Sequence, residues 1–321
     1  MLDVVRSTET APAAKAAGAR RSRPLSALAD LVRRLAGTRI GLVGLVIVGL
    51  LCLAALSAPW LPLHDPLDLM MEHRLEPPGG SFLLGTDEMG RDIFARLVWG
   101  ARGSLMIGVL TVAIGLLGGL LVGTLSGYYS GTLVESVLLG LMDIFAAIPL
   151  LVWAIAIVGI FGTGPVQLGP LLLPNEAKII LLVGMLFIPG LARVAHGLAL
   201  AEAKADYVAA RRLQGAGAWS IMTSDILPNI LSPIFVQASV LIGIGIIIEA
   251  SLSFIGLGVQ PPTPSWGGML ADARSLAFSD EWWVATWPGL AIFLAVIGFN
   301  LVGDALRTVL DPRRRDGGPA L

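Results

Sequence analysis

Few side chains in this 321-residue chain have types and spacing suited to chemistry. His64, His73 and His196 are far apart, and no HExxH, GxSxG or Cys–His spacing occurs. The zinc-hydrolase, serine-hydrolase and thiol-nucleophile readings therefore lack their residues. Cys52, the single cysteine, lies in an apolar run, which leaves neither a disulfide framework nor a thiolate metal site within the chain. Lys15, Lys178 and Lys204 each follow an alanine, so no GxxxxGK(S/T) phosphate loop exists. The expectation is no catalytic residue, no metal ligand set and no ATP hydrolysis by this chain. What remains are three acids in apolar surroundings, Asp143, Glu249 and Asp304. Ionisable groups within a membrane are functional candidates. All three fall toward the ends of apolar runs, so they read as helix-end or inter-subunit contacts, with a pathway role as the second reading.

The elements that must carry these residues are set by composition. Hydrophobic residues make up 55% and charged residues 14%, against about 25% charge in soluble domains. Mean hydropathy is +0.80. This is the composition of an integral membrane protein. Net charge is −1, from 22 basic and 23 acidic residues, which supplies no basic face for nucleic acid. A bilayer core of about 30 Å needs roughly 20 apolar residues as a helix. Six stretches qualify: 40–60, 105–127, 140–162, 178–198, 230–254 and 284–306. They do not alternate as barrel strands would. The expected class is all-α and polytopic. Clustered glycines, as in GLLGGLLVG at 115–123, predict closely packed helices.

Basic residues orient the chain. Eight lie in residues 1–39, and with six crossings both termini share a side. That side then holds sixteen basic residues and the other six, while the loop 61–104 carries seven carboxylates. Both ends are therefore expected in the cytoplasm, and the length of the tail argues against a cleaved signal peptide. Trp60, Trp282, Trp283 and Trp287 fall at the opposite ends of spans one and six, where indoles favour the headgroup layer.

Between the spans the chain divides into a tail (1–39), the first span with a long loop (40–104), a five-helix core (105–310) and a C-terminal tail (311–321). The first two dozen residues lack an apolar period and read as disordered. LSALADLVRRLAG from Leu25 has helical spacing and reads either as an amphipathic surface helix or as an extension of span one. In loop 61–104, Asp87, Glu88, Arg91, Asp92 and Arg96 form a polar stretch, with Asp92 and Arg96 spaced for an i,i+4 pair. It is read as a docking surface or as ordered re-entry into span two. The segment 198–229 predicts a helix over 199–214, interrupted by Gly215 and Gly217, and a second over 218–226 leading to Leu227-Pro228. Spacing alone leaves it either a rigid projection or an ordinary loop. Prolines 261, 262 and 264 predict a stiff, extended loop over 255–283.

Several of these stretches resemble one family. YVAARRLQGAGAWSIMTSDILPN looks like the cytoplasmic EAA loop of permeases in bacterial ABC importers. LGTDEMGRDIFARLVWGARGSL, DIFAAIPLL, EASLSFIGLGVQPPTPSWGGML and FNLVGDALRTVLDPR are similar to the dipeptide, oligopeptide and nickel permease group, in the manner of its C-type subunit, from about residue 25 to 315. The resemblance implies a type I ABC importer permease fold in the bacterial inner membrane. It implies a second homologous permease, two ATPase subunits carrying ATP and magnesium, an extracytoplasmic substrate-binding protein and surrounding lipid. No cofactor is implied for this chain. By that likeness Ala209 and Ala210 match the motif's small residues, Gly215 its breaking glycine, and Ile226, Leu227 and Pro228 its end. Arg211 and Gln214 depart from it, and Arg211 is placed to meet an acidic rim on the ATPase. The competing readings are a secondary transporter driven by an ion gradient, which predicts internal repeats and broken helices, and a membrane scaffold without transport.

Overall fold

A computed structural model describes residues 24–276 and 279–310. The tails 1–23 and 311–321, and the expectations made for them, lie outside the described residues. Helix α1 (Pro24–Ala36) leads into α2 (Arg39–Ser57), where the Thr38 hydroxyl caps the N-terminus by accepting from Gly41 N at 3.1 Å. The long α3 (Ile93–Tyr128) follows, then α4 (Leu133–Ala147) and α5 (Leu150–Phe161). A short antiparallel hairpin, β1 (Val166–Leu168) with β2 (Leu171–Leu173), pairs Val166 with Leu173. Then come α6 (Asn175–Ala203), α7 (Asp206–Leu213), α8 (Ala218–Ser220), α9 (Leu227–Phe254), α10 (Trp266–Asp272) and α11 (Trp282–Leu310). A π-helical turn, Ile221–Ile226, joins α8 to α9 without a break.

Among the described residues, five helical stretches are long and apolar enough to cross a membrane. The sixth expected span, 140–162, is broken: α4 and α5 meet at 83°. Ile148 is extended (φ −88°, ψ 123°), as a residue before proline is pushed to be, and Pro149 starts α5. Contacts with α6 show that the pair crosses the bundle rather than turning back. Glu135 of α4 lies against His196, whereas the Gly162 carbonyl beyond α5 accepts from Lys178 Nζ at 2.7 Å. Those two α6 positions stand about 27 Å apart along the helix.

The bundle is built around α3 and α6. Gly115, Gly119, Gly123 and Gly127 of α3 face Phe187, Leu191, Ala195 and Ala199 of α6. Both sets advance by four residues in the same direction, so the helices run parallel with backbones in close approach. Helix α9 runs antiparallel to α3, with Gly108 at Ile246 and Ser104 at Glu249. Helices α2 and α11 are also antiparallel, with Gly41 at Ala305 and Gly298 at Ile47. Both ends of the described chain therefore lie at one end of the bundle, together with α7. Helix α10 and the segment 61–92 occupy the other.

Three expectations are corrected. Helix α3 begins at Ile93, twelve residues before the expected span, because the Asp92 carboxylate caps it by accepting from Phe94 N at 2.9 Å. The segment 255–283 is folded onto the bundle instead of extended, with Val259 and Trp266 buried. Of the four tryptophans expected at a headgroup layer, Trp60 and Trp282 are exposed, but Trp283 is buried and donates to the Thr86 carbonyl at 3.2 Å. The indole N–H of Trp287 is buried without a partner among the described residues.

Candidate functional site

The loop between α6 and α9 projects at the end of the bundle where α2 begins and α11 ends, with most of residues 206–219 exposed or half-buried. The expected helix over 199–214 is two helices, because α6 stops at Ala203 and Ala205 is extended (φ −70°, ψ 148°) before Asp206 opens α7. An acid in the first turn suits the positive end of a helix. Tertiary contacts hold the break. The Val208 side chain is fully buried in the same apolar cluster as Ile221, Ile226 and Ala199. The Tyr207 hydroxyl donates to the Glu202 carboxylate and accepts from Asn229 Nδ2 at 3.0 Å. Burial and the Glu202 bond push the Tyr207 phenol above its ordinary pKa.

Helix α7 ends in a Schellman turn. Gly215 adopts φ +81°, its N–H donates to the Arg212 carbonyl at 3.0 Å, and Ala216 N donates to the Arg211 carbonyl at 3.1 Å. That left-handed conformation favours glycine. Ala209 and Ala210 are exposed, so their small side chains leave open surface and serve no close helix contact within this chain. Arg211 turns inward. Its Nε donates to Asp225 Oδ2 at 3.1 Å and its Nη2 lies 3.5 Å from Ser220 Oγ. Within its own chain Arg211 is thus paired with an acid, and its side chain stays 38% exposed. The Arg212 guanidinium lies 5.0 Å from the Tyr128 ring at the end of α3. Ile226 is buried and Leu227 half-buried, while Pro228 is exposed. Pro228 begins no separate helix. It sits within the continuous run 218–254 just past the π-helical turn, where Leu227 N donates to the Met222 carbonyl.

Two exposed residues of this loop escaped the sequence reading. Leu213 is 91% exposed and Trp219 is 67% exposed. Large apolar side chains left uncovered on a polar turn mark a contact surface. The signal in the sequence was their position beside Gly215 and Gly217, off the helical period that buries Val208.

The three acids have separate fates. Glu249 is completely buried inside this chain. It accepts from Ser104 Oγ of α3 at 3.2 Å and from Ser253 Oγ at 2.7 Å. Ser104 in turn accepts from Trp266 N, and Ser253 from Val259 N. Glu249 thus anchors the segment 256–268 to α3 and α9, and it reaches neither a pathway nor a partner subunit. Asp143 pairs with Arg193 across α4 and α6 at 2.6 Å, and both side chains are about 60% exposed (63% and 59%). Asp304 is exposed on α11 near the α7 end.

At the opposite end a buried charge cluster holds the long loop. Asp87 receives Arg91 Nε at 2.7 Å and Arg96 Nη1, while Asp272 of α10 receives Arg91 Nη2 at 2.8 Å and Arg96 Nη2 at 3.1 Å. The expected Asp92–Arg96 side-chain pair does not form. Asp92 is occupied as the cap of α3 and by His64 Nδ1 at 2.8 Å. Asp272 was not legible as a partner because it lies 176 residues beyond Arg96.

Among the described residues no group of three or more His, Cys, Asp or Glu side chains could hold a metal ion. An apolar cavity of about 430 Å³ lies where α4 and α5 break, lined by Phe145, Trp153, Ile157, Val166, Lys178 and Met185 among others.

Comparison with known proteins bears on this geometry. Residues 93–316 match the family of binding-protein-dependent transport system inner membrane components. Residues 26–78 match the N-terminal transmembrane domain of oligopeptide transport permease C. A di/tripeptide transport system permease protein of Pseudomonas aeruginosa is 40% identical over 297 residues, covering 91% of this chain and 94% of its own. A dipeptide transport system permease protein of Escherichia coli is 40% identical over 296 residues, covering 90% and 94%. A probable D,D-dipeptide transport system permease protein of the same species is 38% identical over 285 residues, covering 89% and 91%.

Proposed function

The chain belongs to the family of binding-protein-dependent transport system inner membrane components, and from that premise we propose that it is one permease subunit of an ATP-driven importer of dipeptides or oligopeptides. It is a multi-pass component of the bacterial inner membrane. In this reading the α7 end, rich in basic residues, faces the cytoplasm, and the α10 end faces an extracytoplasmic binding protein. A second permease completes the pathway. Two ATPase subunits supply ATP hydrolysis with magnesium, because this chain has no phosphate loop.

The observation that carries the proposal is the α7 turn. It is joined to α6 and α9 through Tyr207, to α3 through Arg212 and to the π-helical turn before α9 through Arg211, yet it leaves Ala209, Ala210, Leu213 and Trp219 exposed. A short helix tied to three spans and bare on its far face can pass an external push into the bundle. Substrate class is inferred from the relatives' names.

The pair Asp143–Arg193 supports a water-filled or subunit-facing side on α4 and α6. Arg193 lies five residues, about 7.5 Å, inside the end of the apolar stretch 178–198. An exposed ion pair at that depth is costly against lipid tails, so this face meets water or the second permease.

The broken α4–α5 span is the one feature that favours the gradient-driven alternative. One experiment separates the two. With Cys52→Ala and Gln214→Cys, a membrane-impermeant maleimide should label inverted vesicles and spare right-side-out ones, and an ATPase subunit should co-purify with the chain. Labelling from the outside, or dipeptide uptake driven by a proton gradient without ATP, would end the importer reading. A mass spectrum of the ligand released from the cognate binding protein would then name the substrate.

A further inference from the structure

We propose that the Arg211–Asp225 ion pair, backed by Tyr207, is a positioning clasp that makes α7 and the root of α9 move as one body. The proposal rests on the reading of this loop as the ATPase contact and adds how the push enters α9.

The backbone alone does not fix α7 to α9. The connection Gln214–Gly217 contains two glycines, and a β-carbon added at Gly215 or Gly217 would meet nothing within 4 Å. Such a turn has no side-chain packing of its own to tie α7 to α9. Val208 pegs α7 into the apolar core and Arg212 lies over the Tyr128 ring of α3, but neither is a polar bond to the root of α9. Arg211, three residues beyond Val208, supplies that bond through Asp225 on the π-helical turn, whose Ile221, Met222 and Ile226 are buried. Tyr207 closes the other side. Its hydroxyl engages Glu202 of α6 and receives Asn229 of α9, and Asn229 Nδ2 also donates to the Asp225 carbonyl at 2.9 Å. The clasp therefore joins the last turn of α6, α7 and the first turn of α9 across the Gly215–Gly217 turn. Arg211 and Asp225 are part-buried, with side chains 38% and 18% exposed, so each contact is worth a modest amount and the effect lies in rigidity.

The test uses the complete transporter, both permeases with ATPases and binding protein, in liposomes loaded with ATP. Radiolabelled alanyl-alanine is supplied outside, and uptake per ATP hydrolysed is read. Arg211→Asp and Asp225→Arg should each lower that ratio about two- to fivefold, with the ATPase bound in unchanged amount. The double reversal should restore it to within about twofold. Single variants with an unchanged ratio, a double variant no better than the worse single, or loss of the bound ATPase would each overturn the clasp. If the reversals do not accumulate in the membrane, Asp225→Asn, which keeps shape and removes charge, decides by the same ratio. Failure of the underlying reading looks different: the unaltered complex would take up the dipeptide without ATP.

Discussion

Gly119 of α3 stands so close to Leu191 of α6 that a β-carbon added to the glycine would lie 2.5 Å from the Leu191 Cβ. The backbone of α6 follows closely, with Ala192 N 3.1 Å from the same point. Neither atom is the far end of a flexible chain, so the helices themselves would have to part. Gly119→Val should cost about 1–3 kcal/mol through overpacking, read as a lower unfolding temperature in detergent. Gly159→Ala in α5 is the control: nothing lies within 4 Å of that position, so the added methyl should leave stability unchanged or raise it slightly. Equal losses at both sites would show that α3 and α6 do not meet through this stripe.

Gly215 is the second position where glycine is required. Proline there would lock φ near −65° against the observed +81° and would remove the N–H that bonds Arg212. Gly215→Pro should leave the chain in the membrane and the ATPase attached while ATP hydrolysis no longer drives uptake. Uptake at the normal rate would count against the coupling role of the turn.

The burial of Glu249 sets a different expectation from a pathway acid. Its oxygens hold Ser104 and Ser253, and through them Trp266 and Val259. Glu249→Leu leaves both hydroxyls without their acceptor and should destabilise by about 1–3 kcal/mol. It should also raise amide exchange over 256–268. Glu249→Gln keeps an acceptor and should cost less. Altered substrate preference with unchanged exchange in that segment would return Glu249 to the pathway.

In the charge cluster at the α10 end, Asp87 and Arg96 are both almost fully buried, whereas Asp272 is one-third exposed. Asp87→Ala leaves two buried guanidinium groups sharing Asp272 alone and should cost on the order of 3–5 kcal/mol. Asp272→Ala lets water reach the same arginines and should cost less. Thermal melts that rank the two variants the other way would contradict this cluster as drawn.

The stretches that cross the bundle were legible because lipid compatibility is local and additive. About twenty apolar residues in a row satisfy it without reference to anything distant. The turn at Gly215 was legible for a similar reason, since one residue type suits a left-handed conformation. The break at Lys204–Ala205 was not, because no glycine or proline marks it and it is held by side-chain bonds of Tyr207, which donates to Glu202 and accepts from Asn229, twenty-two residues on.

The amino-acid sequence by itself therefore determined the all-helical class, the apolar crossings and the place of the turn at Gly215, all consequences of short-range periodicity and solvation. Only the tertiary structure decided that Arg96 meets Asp272 and not Asp92, that Glu249 is walled inside its own chain, and that Arg211 spends its charge on Asp225. Those outcomes depend on which helix faces bring distant charges within hydrogen-bond reach, and that is settled by packing of the whole bundle.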